Sequence, residues 1–206
     1  MYISRIKLDD TRRGTMIALS NPAMFHGAIS QAFEGKRPHA LWRIDWLKGA
    51  RYLLLLSDTE PNLDRAIAEY GVGIPAEVKC YDALLSSIEE GATYHFRLRA
   101  NPTYTTIVPG TKRGRVCAHS TVENQRQWFI EQGKKHGFVA DYQFFDVAES
   151  NWYRFGKKSG NRVTLLAVTY EGRLTVTDVT LFREAITKGI GRGKAYGMGL
   201  LTIMRT

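Results

Sequence analysis

Apolar and polar residues alternate through Tyr2-Ile3-Ser4-Arg5-Ile6-Lys7-Leu8, and this two-residue period predicts a strand. A polar loop is expected after it. Asn21-Pro22 then marks a helix start, with Asn21 as N-cap and Pro22 at the first helical position. Phe25, Ile29, Ala32 and Phe33 fall on one stripe of that helix, which is expected to run to about Glu34 and close at Gly35. Leu41 to Trp46 alternates again, Lys48-Gly49-Ala50 makes a turn, and Arg51 to Ser57 reads as a more buried strand, so the pair forms a hairpin. Pro61 to Tyr70 is a short amphipathic helix with Leu63, Ile67 and Tyr70 inward. Tyr94 to Ala100 alternates once more. Strand, helix, strand, strand, helix, strand is the order of a ferredoxin-like unit.

The second half repeats much of this pattern. Gly114 to Ala118 is a short strand, and Ser120 with Glu123 forms a capping box for a helix to about Lys135 that carries Trp128, Phe129 and Ile130. Strands follow near Phe138–Val147, Tyr153–Gly156, Val163–Tyr170 and Leu174–Val179, with Glu171-Gly172 as the turn between the last two. A helix over Leu181–Thr187, a glycine-rich loop and a strand over Leu200–Arg205 complete the chain. The pattern therefore predicts an α+β protein of two domains meeting near residues 101–111, with no short repeat.

Length agrees, because 206 residues hold two small domains of about 100 each. No apolar run approaches the roughly 18 residues of a membrane span, the longest being Tyr52 to Leu56. Asp9 and Asp10 come too early for a signal peptide. Cys80 and Cys117 lie far apart and read as reduced thiols of a cytoplasmic protein. No Cys/His cluster has zinc spacing, so neither metal nor cofactor is expected.

Charge changes the picture. The chain carries a net +9, and it is uneven: residues 1–100 hold 13 basic and 12 acidic side chains, residues 101–206 hold 16 and 8. A near-neutral half joined to a basic half points to a polyanion laid mainly on the second.

Three features give that polyanion a place. Gly189-Ile-Gly191-Arg-Gly193-Lys-Ala-Tyr-Gly197-Met-Gly199 packs five glycines into eleven residues, with Arg192 and Lys194 among them. It matches neither a Walker A loop, since position 188 is Lys and Ala195 stands where Ser or Thr is needed, nor GxGxxG. It reads either as a backbone that approaches phosphate through free N–H groups or as a long turn needing positive φ. Lys112, Arg113 and Arg115 cluster beside a strand. Arg154, Lys157, Lys158 and Arg162 surround a hairpin tip with two glycines and no acid, a ribbon suited to nucleic-acid phosphates.

Among five histidines, His26 is distinct because it sits in the first turn of a helix, where the macrodipole disfavours imidazolium and leaves a neutral base near pH 7. A basic protein with a lone histidine and no paired carboxylates, HExxH or GxSxG suits metal-free RNA cleavage. There the RNA's own 2′-OH attacks the adjacent phosphate, and the protein aligns the attack, moves protons and stabilises charge.

Six segments in order resemble the CasE family, the pre-crRNA endoribonucleases of the type I-E Cascade complex. They are the opening MYISRIKL; Asn21-Pro22-Ala-Met-Phe25-His26; Tyr94 to Pro102; Lys112-Arg113 with Arg115-Val116; Tyr170-Glu171-Gly172 to Asp178; and the glycine-rich loop running into Leu200-Leu201. The resemblance implies two tandem ferredoxin-like (RRM-like) domains, divided here as residues 1–103 and 104–206. It implies binding of the CRISPR repeat stem-loop, cleavage at the 3′ base of the stem, and retention of the mature crRNA alongside other Cascade subunits, with no membrane involved. The catalytic histidine maps onto His26, and the groove-binding hairpin onto Arg154 to Arg162. Lys112, Arg113, Arg154, Lys157, Lys158, Arg162, Arg192 and Lys194 are the expected phosphate ligands. Where relatives often carry a tyrosine, three residues before the histidine, this chain has Ala23, and Gly27 and Gln31 stand where basic residues are frequent. Help for His26 is then expected from Lys36, Arg37 or the RNA itself. The alternatives are a non-catalytic RNA-binding subunit of a CRISPR ribonucleoprotein and, further off, a ferredoxin-like regulatory protein.

Overall fold

The computed structural model describes residues 1–34, 39–107, 114–156, 160 and 162–206. The first unit contains β1 (Tyr2–Lys7), α1 (Arg13–Ser20), α2 (Ala23–Ser30), β2 (Ala40–Leu47), β3 (Ala50–Ser57), α3 (Asp64–Tyr70) and β4 (Glu77–Cys80). Its sheet has the order β2-β3-β1-β4, the antiparallel ferredoxin-like arrangement. Lys48 and Gly49 both adopt positive φ, 48° and 76°, in a two-residue hairpin turn between β2 and β3, and Ala50, expected in the turn, opens β3 instead.

Two expectations change here. The expected polar loop is helix α1. Its buried positions are Thr15 and Ala18, whereas Met16 and Ile17 are exposed, so the apolar residues lie on the wrong face for a periodicity reading. The Thr15 hydroxyl bonds the Tyr70 carbonyl. In α2, Pro22 takes the N-cap position, and Asn21 makes no side-chain cap. The Asn21 side-chain oxygen is buried without a hydrogen-bond partner.

The chain then passes through α4 (Asp82–Ser86) to β5 (Thr93–Ala100), β6 (Thr103–Thr106), β7 (Arg115–Ala118), α5 (Val122–Lys135), β8 (Phe138–Val139), β9 (Phe145–Gly156), β10 (Arg162–Val176), α6 (Val179–Lys188), a 3-10 turn at Lys194–Tyr196 and β11 (Leu201–Arg205). The second sheet has the order β11-β5-β10-β8, with β9 also paired to β10, so it too is ferredoxin-like. The strand expected to close the first domain is therefore the central strand of the second. Leu98 pairs with both Tyr170 and Leu201, while β4 fills the vacant place beside β1 by pairing Arg5 with Glu77. A cut after residue 103 would strip β5 from both its partners; the two sheets part between Cys80 and Thr93. Four-residue β4 is mostly exposed and shows no apolar alternation, which is why a longer downstream strand took its place in the sequence reading.

Nor does Glu171-Gly172 turn the chain. β10 runs straight through it for 15 residues. Gly172 has φ of 150°, and a Cβ there would lie 2.2 Å from the Phe144 carbonyl oxygen, so the glycine permits a close strand approach. The α5 cap is Thr121, whose hydroxyl accepts from the Asn124 N–H, one residue after the expected Ser120.

The two units share a core. Leu41 and Leu56 from the first sheet join Phe96, Leu98, Phe129, Tyr170 and Phe182 in one buried cluster. Arg43 on β2, 1 % exposed, bonds Asp45 through two nitrogens at 2.7 and 2.6 Å and reaches the carbonyls of Arg97 and Leu200 at 2.8 Å. A buried guanidinium satisfied this way fixes β2 against the second unit, since losing any partner leaves a desolvated charge.

Candidate functional site

The buried face of α2 is Phe25, Ala28 and Ile29, with the Phe25 ring 4.9 Å from Tyr70 and 5.7 Å from Trp42. His26 lies one position further round, half-buried at the edge of that face. Its N–H bonds the Pro22 carbonyl at 3.2 Å, which places it in the first helical turn. It lines a cavity of about 760 Å³ with Ala23, Arg65, Glu69, Tyr70, Gly156 and Tyr196 among the other walls. One wall is thus the first unit, another the end of β9, and a third the glycine-rich loop. Burial pushes the Tyr70 phenol up to about 12, so it stays protonated at neutral pH.

In the glycine-rich loop all five glycines have positive φ, between 76° and 88°. Added Cβ atoms would meet Leu41 at Gly189 (2.7 Å) and Trp42 at Gly197 (2.8 Å), so the loop packs closely on β2. The N–H groups of Ile190, Tyr196, Gly197 and Gly199 bond to carbonyls of Gly199, Gly193, Lys194 and Arg99, which removes them from the free donors expected of a phosphate cradle. These bonds and the five positive φ values make the segment a long turn packed on β2. Arg192 is exposed, and Lys194 is half-buried with its pKa lowered by desolvation.

Arg154 and Arg162 are exposed near the end of the β9–β10 ribbon, where Arg162 faces Gly156 and Arg154 faces Thr164. They share one ribbon face. The opposite face carries Phe155, which packs with Leu165, Ala167 and Met198 and meets the Tyr196 ring at 5.1 Å. Gly156, on the same face as the arginines and opposite Arg162, is the ribbon residue in the wall of the His26 cavity, while Phe155 on the other face packs on the Tyr196 ring. Lys112, Arg113, Lys157 and Lys158, together with Lys36 and Arg37, lie outside the described residues.

Sequence reading passed over Tyr196. It belongs to the Lys194–Tyr196 turn, and it packs with Ala23 against the Phe155–Met198 cluster. A lone aromatic among five glycines was the available signal. Arg99 and Tyr153, joined by a 2.6 Å hydrogen bond on the neighbouring sheet face, were also missed. Among the described residues no group of three or more His, Cys, Asp or Glu is placed to hold a metal, and no helix is long and apolar enough to cross a membrane.

Two ferredoxin-like units sharing a core, with a histidine-bearing helix start facing a glycine-rich loop and a cationic ribbon, define a tandem RRM-like protein built around one cleft. The chain matches the family described as CRISPR associated protein over residues 1–205, and it belongs to that family. It is 26 % identical over 219 aligned residues to the CRISPR-associated endoribonuclease Cse3 of Thermus thermophilus, covering 98 % of this chain and 99 % of that protein. It is 31 % identical over 123 residues to the CRISPR system Cascade subunit CasE of Escherichia coli, covering 56 % and 60 %. A solved structure of CRISPR endoribonuclease Cse3 bound to a 19-nucleotide RNA superposes with a TM-score of 0.81 at 25 % identity, over 99 % of this chain and all of the other.

Proposed function

We propose that this chain is a metal-independent endoribonuclease that binds the CRISPR repeat stem-loop, cuts pre-crRNA at the 3′ base of the stem, and stays on the crRNA as a Cascade subunit. The observation that carries this reading is the cavity joining His26 to Tyr196 and to Gly156 at the end of the basic ribbon. Likeness to named CRISPR endoribonucleases along the whole chain supports the same reading.

The RNA's 2′-OH attacks the adjacent phosphorus and the bond to the 5′-oxygen breaks. The products are a 2′,3′-cyclic phosphate and a 5′-OH. No external nucleophile is consumed, so the protein supplies alignment, proton movement and charge stabilisation. His26 exchanges a proton with the attacking 2′-OH or the departing 5′-oxygen. Tyr196, the phenol beside Ala23, positions the reacting groups. The exposed Arg154, Arg162 and Arg192, half-buried Lys194, and Lys112, Arg113, Lys157 and Lys158 hold stem phosphates.

Incubation of repeat RNA with wild type and His26→Ala in excess EDTA tests the reading. Wild type yields shortened product. The variant binds equally and cleaves about 10²- to 10⁴-fold more slowly, the usual range for a lost general acid or base. Wild-type binding without cleavage would instead leave the non-catalytic RNA-binding subunit.

A further inference from the structure

A second cavity, of about 460 Å³, opens beside the first and shares Tyr196 with it. Its floor is the open face of the second sheet, with Arg97 and Arg99 from β5 and Tyr153 from β9. Its other side is the first unit, with Trp46 and Arg51 at the end of β2 and the start of β3. We propose that this cleft holds the unpaired nucleotide that follows the scissile phosphate. The inference rests on the endoribonuclease reading and names where the strand goes after His26.

Charge separates the three arginines. Arg97 lies against Asp45 at 3.4 Å and Glu171 at 2.8 Å, and Arg51 against Asp10 at 2.8 Å. Arg99 has no carboxylate within 4.0 Å among the described residues. It donates to the Tyr153 hydroxyl at 2.6 Å, its guanidinium carbon stands 5.2 Å from that ring's centroid, and its Nε is buried without a hydrogen-bond partner. A half-buried guanidinium that forms no ion pair among the described residues, in a cavity whose carboxylates Asp45 and Glu149 lie beyond 4.0 Å of it, is suited to a phosphate oxygen or a base acceptor.

The aromatic groups supply the rest. Trp46 is 55 % exposed although it lines the cavity, with Arg51 stacked over its ring at 5.1 Å. Tyr153 and Tyr196 are half-buried on other sides. Rings interleaved with arginines are the platform that unpaired bases stack on, and they tolerate any base because every base has a π face. A paired stem cannot enter a cleft of this size, whereas one splayed nucleotide fits within the usual volume of a ligand pocket. Because Tyr196 borders both cavities, a nucleotide leaving the His26 cavity passes that ring to reach the second.

The test uses the full chain and two repeat hairpin RNAs, both 2′-deoxy at the last paired nucleotide so that neither is cut. One ends at the base of the stem; the other continues into a short unpaired 3′ extension. Wild type is expected to bind the extended RNA about tenfold more tightly, the scale of one base–aromatic stack. Trp46→Ala and Arg99→Gln are expected to lose that advantage while binding the blunt hairpin as wild type does, which also reports that they are folded. An advantage that is absent in wild type or survives both substitutions overturns the assignment. If wild type binds neither RNA, the endoribonuclease reading falls and this inference falls with it.

Discussion

Phe155 and Tyr196 meet edge to face, with ring centroids 5.1 Å apart and planes at 65°. Phe155 belongs to the basic ribbon and Tyr196 to the glycine-rich loop, so this contact joins the two segments that carry most of the expected phosphate ligands. Phe155 is 8 % exposed. Phe155→Ala is expected to lower stability by about 3 kcal/mol, the scale of a deleted buried ring. Because it also removes support for Tyr196, cleavage is expected to slow at temperatures where urea titration shows the variant still folded.

Gly197 and Gly14 separate two roles of glycine. Gly197 has φ of +77°, and a Cβ there would sit 2.8 Å from the Trp42 ring, whereas a Cβ on Gly14 in helix α1 meets nothing within 4 Å. Gly197→Ala pays for backbone strain and for a displaced indole, so it is expected to destabilise by more than about 1 kcal/mol. Gly14→Ala is expected to stabilise by roughly 0.5–1 kcal/mol through helix propensity. Thermal unfolding of the two variants checks the opposite signs.

These same positions show what the sequence made legible. Alternation in Tyr2–Lys7, the turn at Lys48-Gly49 and the glycines of the loop announced local conformations, because each depends on nearest neighbours. What was missed depends on distant partners. Thr15 is buried because Tyr70 accepts its hydroxyl, and β4 is a strand because β1 lacks a neighbour. β5 alternates equally well for either sheet, and only its pairing with β10 and β11 assigns it. Gly172 resembles a turn residue in sequence, but its close contact is with Phe144, the residue just before β9. His26 was legible through its place in a helix start. Tyr196, Arg99 and Tyr153 were not, since only the folded chain brings them to the cleft.

Acid is expected to weaken the fold through His136 and His119. Desolvation lowers both pKa values below the ordinary 6.5, and at His136 the charges of Lys194 and Lys135 add to it. The unfolded chain therefore takes up protons at these rings before the folded chain does, so their stabilising contribution is present above about pH 6.5 and is lost as pH falls through the lower folded values. His136→Gln is expected to flatten this loss. Urea midpoints measured over a pH series check it; a variant curve parallel to wild type would remove His136 from the account.

Tyr196 and Ala23 pack against the same Phe155–Met198 cluster, so a ring on one leaves less room for a ring on the other. If Tyr196 positions the reacting groups beside His26, removing only its hydroxyl should affect chemistry more than binding. Tyr196→Phe is expected to slow single-turnover cleavage by about tenfold or more, with an RNA dissociation constant unchanged within twofold, since one hydrogen bond to a developing charge is worth on this order. Ala23→Tyr alone is expected to be crowded and slow. Ala23→Tyr combined with Tyr196→Ala relieves the crowding and returns a phenol to the cavity from the other wall, so the double variant should cleave faster than Tyr196→Ala alone. Single-turnover rates for the four chains measure the coupling directly. Additive losses would show that the two positions do not share one space, and full activity in Tyr196→Phe would place the positioning group elsewhere.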